Sequence, residues 1–270
     1  MSTEPIVILS DLHVSHPLSL VRRADAVAGL LPEGGTVVFN GDSVEMRSTL
    51  DQDSGRANRE RLRALCEARG ARALFLTGNH DPLVSDLHHL DLCGGQVLVT
   101  HGDILFHDCS PWSHEGAFIG AEHTRLLAEL DDAGRRDLPT RLRIAKQASR
   151  IMEGFYTARQ SLFSVARNIL LEVIPPWRPL RILKFWGLAP ALGANFAKEF
   201  RPDARILIVG HLHHAGIWHL DGRTVINTGC YFPLVGRRMV RIEAGRLDVL
   251  SIRGPAGGWR PGRVLFSTAV

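Results

Sequence analysis

Five short apolar runs, Ile6–Leu9, Thr36–Phe39, Ala73–Leu76, Val97–Val99 and Ile206–Val209, each lead directly into a polar cluster. Runs of this length, rich in branched side chains, predict buried strands, so the clusters are expected to emerge together at one edge of a sheet. The clusters are Asp11-Leu12-His13, Gly41-Asp42, Gly78-Asn79-His80-Asp81, His101-Gly102-Asp103 and Gly210-His211-Leu212-His213. Arg22–Leu31 and Gly55–Arg69 are helical candidates; the second carries Leu62, Leu65 and Cys66 at helical spacing, with Gly70 as a stop signal. Alternating strands and helices predict an α/β sheet covered by helices, whose ligands gather at the carboxyl ends of the strands. From 204 to 252 the pattern changes to closely spaced strands (Ala204–Val209, Gly216–Leu220, Arg223–Asn227, Arg238–Ile242, Arg246–Ile252) with turns at Asp221-Gly222 and Ala244-Gly245. This predicts a second, mainly antiparallel sheet, and the Gly- and Pro-rich tail from Gly254 reads as irregular.

Between the fourth and fifth clusters no strand pattern occurs. Leu126–Leu130, Ile144, Ile151, Met152, Phe155, Leu162, Phe163, Val165, Ile169, Leu170 and Val173 recur at helical spacing until Pro175-Pro176. The chain is therefore expected to form a single domain, 1–270, with a helical cap inserted at about 111–203 and hanging over the clusters.

Composition adds bounds. With 270 residues, 45% hydrophobic and 22% charged, the chain can bury a full core, which excludes disordered and fibrous classes. The four cysteines, Cys66, Cys93, Cys109 and Cys230, form no CxxC pair, so free thiols in a reducing compartment are expected. Met1–Pro5 has no basic leader character, and no apolar stretch approaches the ~20 residues a membrane-spanning helix needs. A cytoplasmic location is expected.

The net charge of +4 is mild, but its distribution is uneven. Arg141, Arg143, Lys146, Arg150, Arg159, Arg167, Arg178, Arg181 and Lys184 face only Glu153 and Glu172 over 141–184, a local excess of +7. The insertion also carries Trp112, Phe155, Tyr156, Phe163, Trp177, Phe185 and Trp186. A basic cap with large apolar side chains can receive an anionic amphiphile, or rest peripherally on the acidic inner face of a membrane. Equally, the apolar residues can pack the cap on the body while the arginines are solvated.

The polar clusters carry the chemistry. Two divalent cations a few Å apart need hard oxygen and imidazole donors and one carboxylate to bridge them. Asp11 and His13, one residue apart at a strand end, point the same way and can chelate one ion. Asp42, after a glycine that lets the backbone turn, is the natural bridge. Asn79, His101 and His211 can complete the second ion, and His213 can swing back to the first. A hydroxide between two cations is a strong nucleophile at neutral pH, because metal binding lowers water's pKa to about 7. His80, beside Asn79, suits a general acid or a cationic stabiliser of the transition state, with Glu45 or Asp81 orienting its ring and holding it protonated. His16 and His107, close in sequence, are not expected to be ligands.

The ordered set Asp11-X-His13, Gly41-Asp42-X-X-Glu45, Gly78-Asn79-His80-Asp81, His101-Gly102-Asp103 and Gly210-His211-X-His213 resembles the calcineurin-like metallophosphoesterase superfamily, and Asn227-Thr228-Gly229 is similar to a segment that often follows. The resemblance implies a four-layer α/β/β/α sandwich and a dinuclear Mn, Fe, Zn or Mg centre, manganese foremost. It implies Asp11, His13, Asp42 and His213 on one ion, and Asp42, Asn79, His101 and His211 on the other. It also favours Glu45 as the partner of His80. In layout the chain is similar to the bacterial UDP-2,3-diacylglucosamine pyrophosphatases, which implies a lipid-linked nucleotide pyrophosphate as substrate. One departure stands against that branch, where the position after the Asn usually holds Arg and here is His80. A general phosphomonoesterase or phosphodiesterase acting on a phosphorylated small molecule, and a nuclease using the basic cap, are the alternatives. A scaffold without catalysis is expected to have lost ligands, and none of the seven is missing.

Overall fold

The apolar runs become strands because their β-branched and leucine side chains fit a pleated surface buried on both faces. The protein is described here by a computed structural model covering residues 4–111, 113, 115–154, 177–254 and 258–270. Strands β1 (Ile6–Leu9), β2 (Thr36–Asn40) and β3 (Arg72–Leu76) pair in parallel. Strands β9 (Arg238–Glu243), β10 (Arg246–Arg253) and β11 (Arg260–Ala269) extend that sheet in the order β11-β10-β9-β1-β2-β3, with β9 antiparallel to β1. A second sheet runs β4 (His89–Leu92), β5 (Val97–Thr100), β6 (Ile206–Val209), β8 (Arg223–Asn227), β7 (Gly216–Leu220). Its core β5-β6-β8 is parallel and its two edges are antiparallel.

The period-two alternation of strand side chains assembles the layers. Ile8, Val38 and Leu76 of the first sheet pack against Val97, Val99, Ile206, Ile208 and Ile226 of the second. Val7 and Leu9, pointing the other way, pack with Leu62 and Cys66 of helix α1 (Gln52–Glu67) and with Val27 and Leu30 of the 3-10 helix Ala24–Leu30. Behind the second sheet, Leu98, Leu207 and Val225 meet Leu138, Leu142 and Ala145 of helix α4 (Leu138–Ser149), and Ala194 and Ala197 of helix α5 (Trp177–Phe200). The result is the expected α/β/β/α order of layers. Helices α2 (Gly116–Ala128) and α3 (Asp132–Arg136) precede α4, so between β5 and β6 the described residues carry helices and no strand. The apolar positions from Phe155 to Val173, and Pro175-Pro176, lie outside the described residues.

Three readings of the sequence change. The strands after residue 204 do not form one sheet: β6, β7 and β8 join β4 and β5, whereas β9, β10 and β11 join β1 to β3. The tail is not irregular, since Arg260–Ala269 pairs with β10 through two register shifts. Pro261 and Gly262 are tolerated there because an edge strand needs only one row of ladder bonds. Lys146, counted with the cap's surface charge, is 3% exposed and its Nζ lies 2.5 Å from Asp103 Oδ1. Of the others, Arg150 pairs with Glu153, Arg181 donates to the Pro111 carbonyl, and Arg159 and Arg167 lie outside the described residues. Phe185 packs on Phe106, and Trp186 donates to the Leu212 carbonyl, so these two aromatic residues hold α5 to the loops after β5 and β6. Among the described residues no helix is long and apolar enough to cross a membrane.

Candidate metal centre

Every polar cluster leaves the carboxyl end of a strand of the two central sheets, and the seven predicted donors meet where those ends converge. The backbone is bent sharply to achieve this: Asp11, His13, Asp42, His211 and His213 all have positive φ, between 45° and 68°. Such conformations cost non-glycine residues about 1–3 kcal/mol each and persist where surrounding contacts over-determine them. Those contacts are visible. The Asp11 backbone N–H donates to the Gly41 carbonyl and that of His13 to the Asp42 carbonyl, while Asp11 Oδ1 accepts from the His211 N–H at 3.0 Å. A Cβ on Gly210 would lie 2.1 Å from Asp11 Oδ2, so glycine before His211 is what lets these clusters approach.

The donor atoms form two groups that share one carboxylate. Asp11, His13 and Asp42 offer ligand atoms within 4.8 Å of one another, and so do Asp42, His101 and His211. Asn79 Oδ1 lies 2.9 Å from His211 Nδ1 and 3.2 Å from His101 Nε2, inside the second group. His213 Nε2 is 3.3 Å from His13 Nε2 and 3.4 Å from Asp11 Oδ1, beside the first.

Hydrogen bonds at the far side of each ring decide what the near side offers. His13 Nδ1 donates to Glu45 Oε1 at 2.7 Å, His101 Nδ1 to the Asn40 carbonyl at 3.0 Å, and His211 Nε2 to the Cys109 carbonyl at 2.9 Å. Each imidazole thus has its other nitrogen lone pair turned inward, the arrangement found behind metal-bound histidines. In these tautomers the inward ring nitrogens join the carboxylate and amide oxygens as lone-pair donors around two shared positions. Such a site fits divalent cations. Without a cation, the Asp42 carboxylate raises His101 to about 9 against the downward push of burial, so a proton occupies the position that a cation would take from it. Asp42 itself is held far down, because the His101 and His80 imidazoles outweigh its burial.

His80 stands at the rim of this group. Its Nδ1 donates to Glu45 Oε2 at 3.0 Å, and its Nε2 faces Arg47 Nη1 at 3.4 Å. Glu45 therefore grips both His13 and His80, whereas the resemblance implies only His80 as its partner. The expectation that this keeps His80 protonated is not met: burial, helped by the Arg47 guanidinium, outweighs Glu45 and holds the ring below its ordinary value. Asp81 does not orient His80 either. It accepts from the backbone N–H groups of Gly78, Asp42 and Ser43 at 2.7–2.9 Å, tying two clusters together. Burial and the neighbouring Asp42 charge push its carboxyl up to about 7.

A cavity of about 330 Å³ opens over the donors, walled by His80, Arg47, Glu115, Ser110, Ile182 and Trp186. Arg47 is the residue missed by the sequence reading. Its Nη2 pairs with Glu115 Oε2 at 2.6 Å, just before helix α2. Its only signal was a position two residues beyond Glu45.

No family model matches the chain, and no curated protein matches it. Solved structures do. Vacuolar Protein Sorting 29 from Cryptosporidium parvum is 9% identical over 99% of this chain and 98% of its own, with a TM-score of 0.47. A dimetal phosphatase from Danio rerio is 11% identical over 92% and 96%, at 0.46. A predicted phosphoesterase from Streptococcus pneumoniae is 16% identical over 99% of each, at 0.38.

Proposed function

We propose that the protein is a phosphoester hydrolase working with two divalent cations. The observation that carries this reading is the pair of donor groups sharing Asp42, with His80 and Glu45 beside them in one cavity. Asp11, His13, Asp42 and His213 would hold one cation, and Asp42, Asn79, His101 and His211 the other; Mn, Fe, Zn and Mg all suit oxygen and imidazole donors. When bound, the cations would supply positive charge to phosphoryl oxygens and lower the pKa of water to about 7.

The chain's own residues do the rest. Arg47, fixed by Glu115, sets a positive charge at the cavity wall that attracts phosphoryl oxygens. Burial holds His80 below its ordinary pKa in the free site, with Nδ1–H held by Glu45 and Nε2 beside Arg47 Nη1 at the cavity wall. An anionic phosphoryl group entering beside it favours the imidazolium, since a nearby negative charge stabilises the charged form. Nε2–H then donates to the departing ester oxygen, while Glu45 keeps the ring in line and balances its charge.

A second reading concerns the substrate. On α5, Leu180 and Leu183 are 64% and 55% exposed, and Ile182 and Trp186 line the cavity. These side chains favour an ester with a long apolar part, such as a lipid-linked nucleotide pyrophosphate of the UDP-2,3-diacylglucosamine kind. A metal-supplemented panel of a monoester, a diester, a nucleotide pyrophosphate and a lipid-linked pyrophosphate, with and without detergent, tests both. Hydrolysis confined to the last substrate with detergent supports the second reading; turnover of none with any metal rejects both.

A further inference from the structure

A sixth strand end enters the centre at Asn227–Tyr231. Asn227 Nδ2 donates to the Gly210 carbonyl at 2.7 Å, the Thr228 N–H donates to the Val209 carbonyl at 3.0 Å, and the Tyr231 N–H donates to the Asp11 carbonyl at 3.3 Å. Gly229, at φ +76°, makes the turn between them, and a Cβ there would lie 2.1 Å from the Gly236 carbonyl oxygen. These bonds tie the segment to two donor-bearing clusters and fix the residue in its middle, Cys230.

Cys230 is fully buried, yet its surroundings are polar on the side that matters. Its thiol lies beside the His213 ring. Cys230, His213 and His13 form a group whose ligand atoms all lie within 4.8 Å of one another. In the same place, His13 Nε2 and His213 Nε2 are 3.3 Å apart and Asp11 Oδ1 is 3.4 Å from the latter. Among the described residues, Cys66, Cys93 and Cys109 belong to no such group.

We propose that Cys230 is a ligand of the cation held by His13 and His213. That half of the centre then has one soft sulfur donor and selects thiophilic ions, Zn²⁺ or Fe²⁺, over Mn²⁺ and Mg²⁺. The half made by Asp42, Asn79, His101 and His211 keeps only oxygen and nitrogen donors. On loading, the sulfur–hydrogen bond breaks, the proton passes to solvent and a sulfur–metal bond forms, so uptake releases a proton. The inference rests on the metal-centre reading and deepens it.

Titration of the metal-depleted full chain with Co²⁺ tests it. The wild type and Cys93→Ser should show a near-ultraviolet sulfur-to-cobalt charge-transfer band together with the visible cobalt bands. Cys230→Ser should keep the visible bands, lose the charge-transfer band, and lose at least about tenfold in preference for Zn²⁺ over Mn²⁺. A wild type without the band, or Cys230→Ser that retains it, overturns the proposal, because a thiol that merely hydrogen-bonds His213 gives no such absorption. The wild-type spectrum alone is decisive if the variant does not fold. Band present with no hydrolysis of any ester rejects the hydrolase reading and keeps this one; hydrolysis without the band does the reverse.

Discussion

Glu45 is the residue on which most of the centre's order converges, since one carboxylate group fixes the tautomer of His13 and the position of His80. Against the upward push of its burial, the neighbouring His80 imidazole and hydrogen bonds from both rings hold it well below the ordinary carboxylate range. Glu45→Gln should lower the pKa of His80 by removing a negative charge, so the alkaline limb of kcat against pH, where the acid has lost its proton, should move to lower pH. His80→Asn should leave metal content unchanged and reduce kcat by about 10²–10⁴-fold, measured by steady-state kinetics and elemental analysis. Unchanged turnover removes the role. Asp81→Ala instead strands four buried amides, those of Gly78, Asp42, Ser43 and Val44, and should destabilise the metal-depleted protein by about 1–3 kcal/mol per orphaned donor in urea unfolding. The seven donors were legible because each directly follows an apolar run. Arg47 and Cys230 were not, because a lone arginine or cysteine outside a recognised pattern carries no signal until the fold brings it to the donors.

Among the elements, helix α4 is joined to the loop after β5 by the buried pair Lys146–Asp103. Removing one partner of such a pair leaves an uncompensated buried charge. Lys146→Met should therefore cost about 3–5 kcal/mol, and the double variant with Asp103→Leu should recover much of it. The loop so anchored begins with His101, which ties α4 to one donor. Central strands could be read from their apolar runs, and α1 from Leu62, Cys66 and its stop at Gly70. Two of the four edge strands, β4 and β11, could not: they are exposed or half-buried along their length and lack the buried apolar positions of the central strands. Their existence depends on a neighbour's free edge, which no local stretch of sequence announces.

At the scale of the whole molecule, metal binding to the folded state alone should raise stability by about 2.7 kcal/mol at a hundredfold excess over Kd, so a chelator should lower Tm by several degrees. A Tm insensitive to chelator and added cation would count against the centre. Far from it, hydrogen bonds from Ser267, Arg246 and Arg241 outweigh burial and hold Asp248 down to about 2 from 3.8. A lowered carboxyl pKa contributes above 3.8 and is lost as pH falls through about 2. The advantage of wild type over Asp248→Asn should shrink across that window in unfolding midpoints. The pairing of β9 with β1, which sequence reasoning placed in the wrong sheet, has a further consequence for synthesis. A nascent chain lacking residues beyond 205 has β1, β2 and β3 but neither β9 nor β6, so neither sheet is complete and His211 and His213 have not been made. The first three strands then wait with Asp11 and His13 apart from their later partners, and any cation the centre takes up would enter late in folding, when the returning strands complete both sheets.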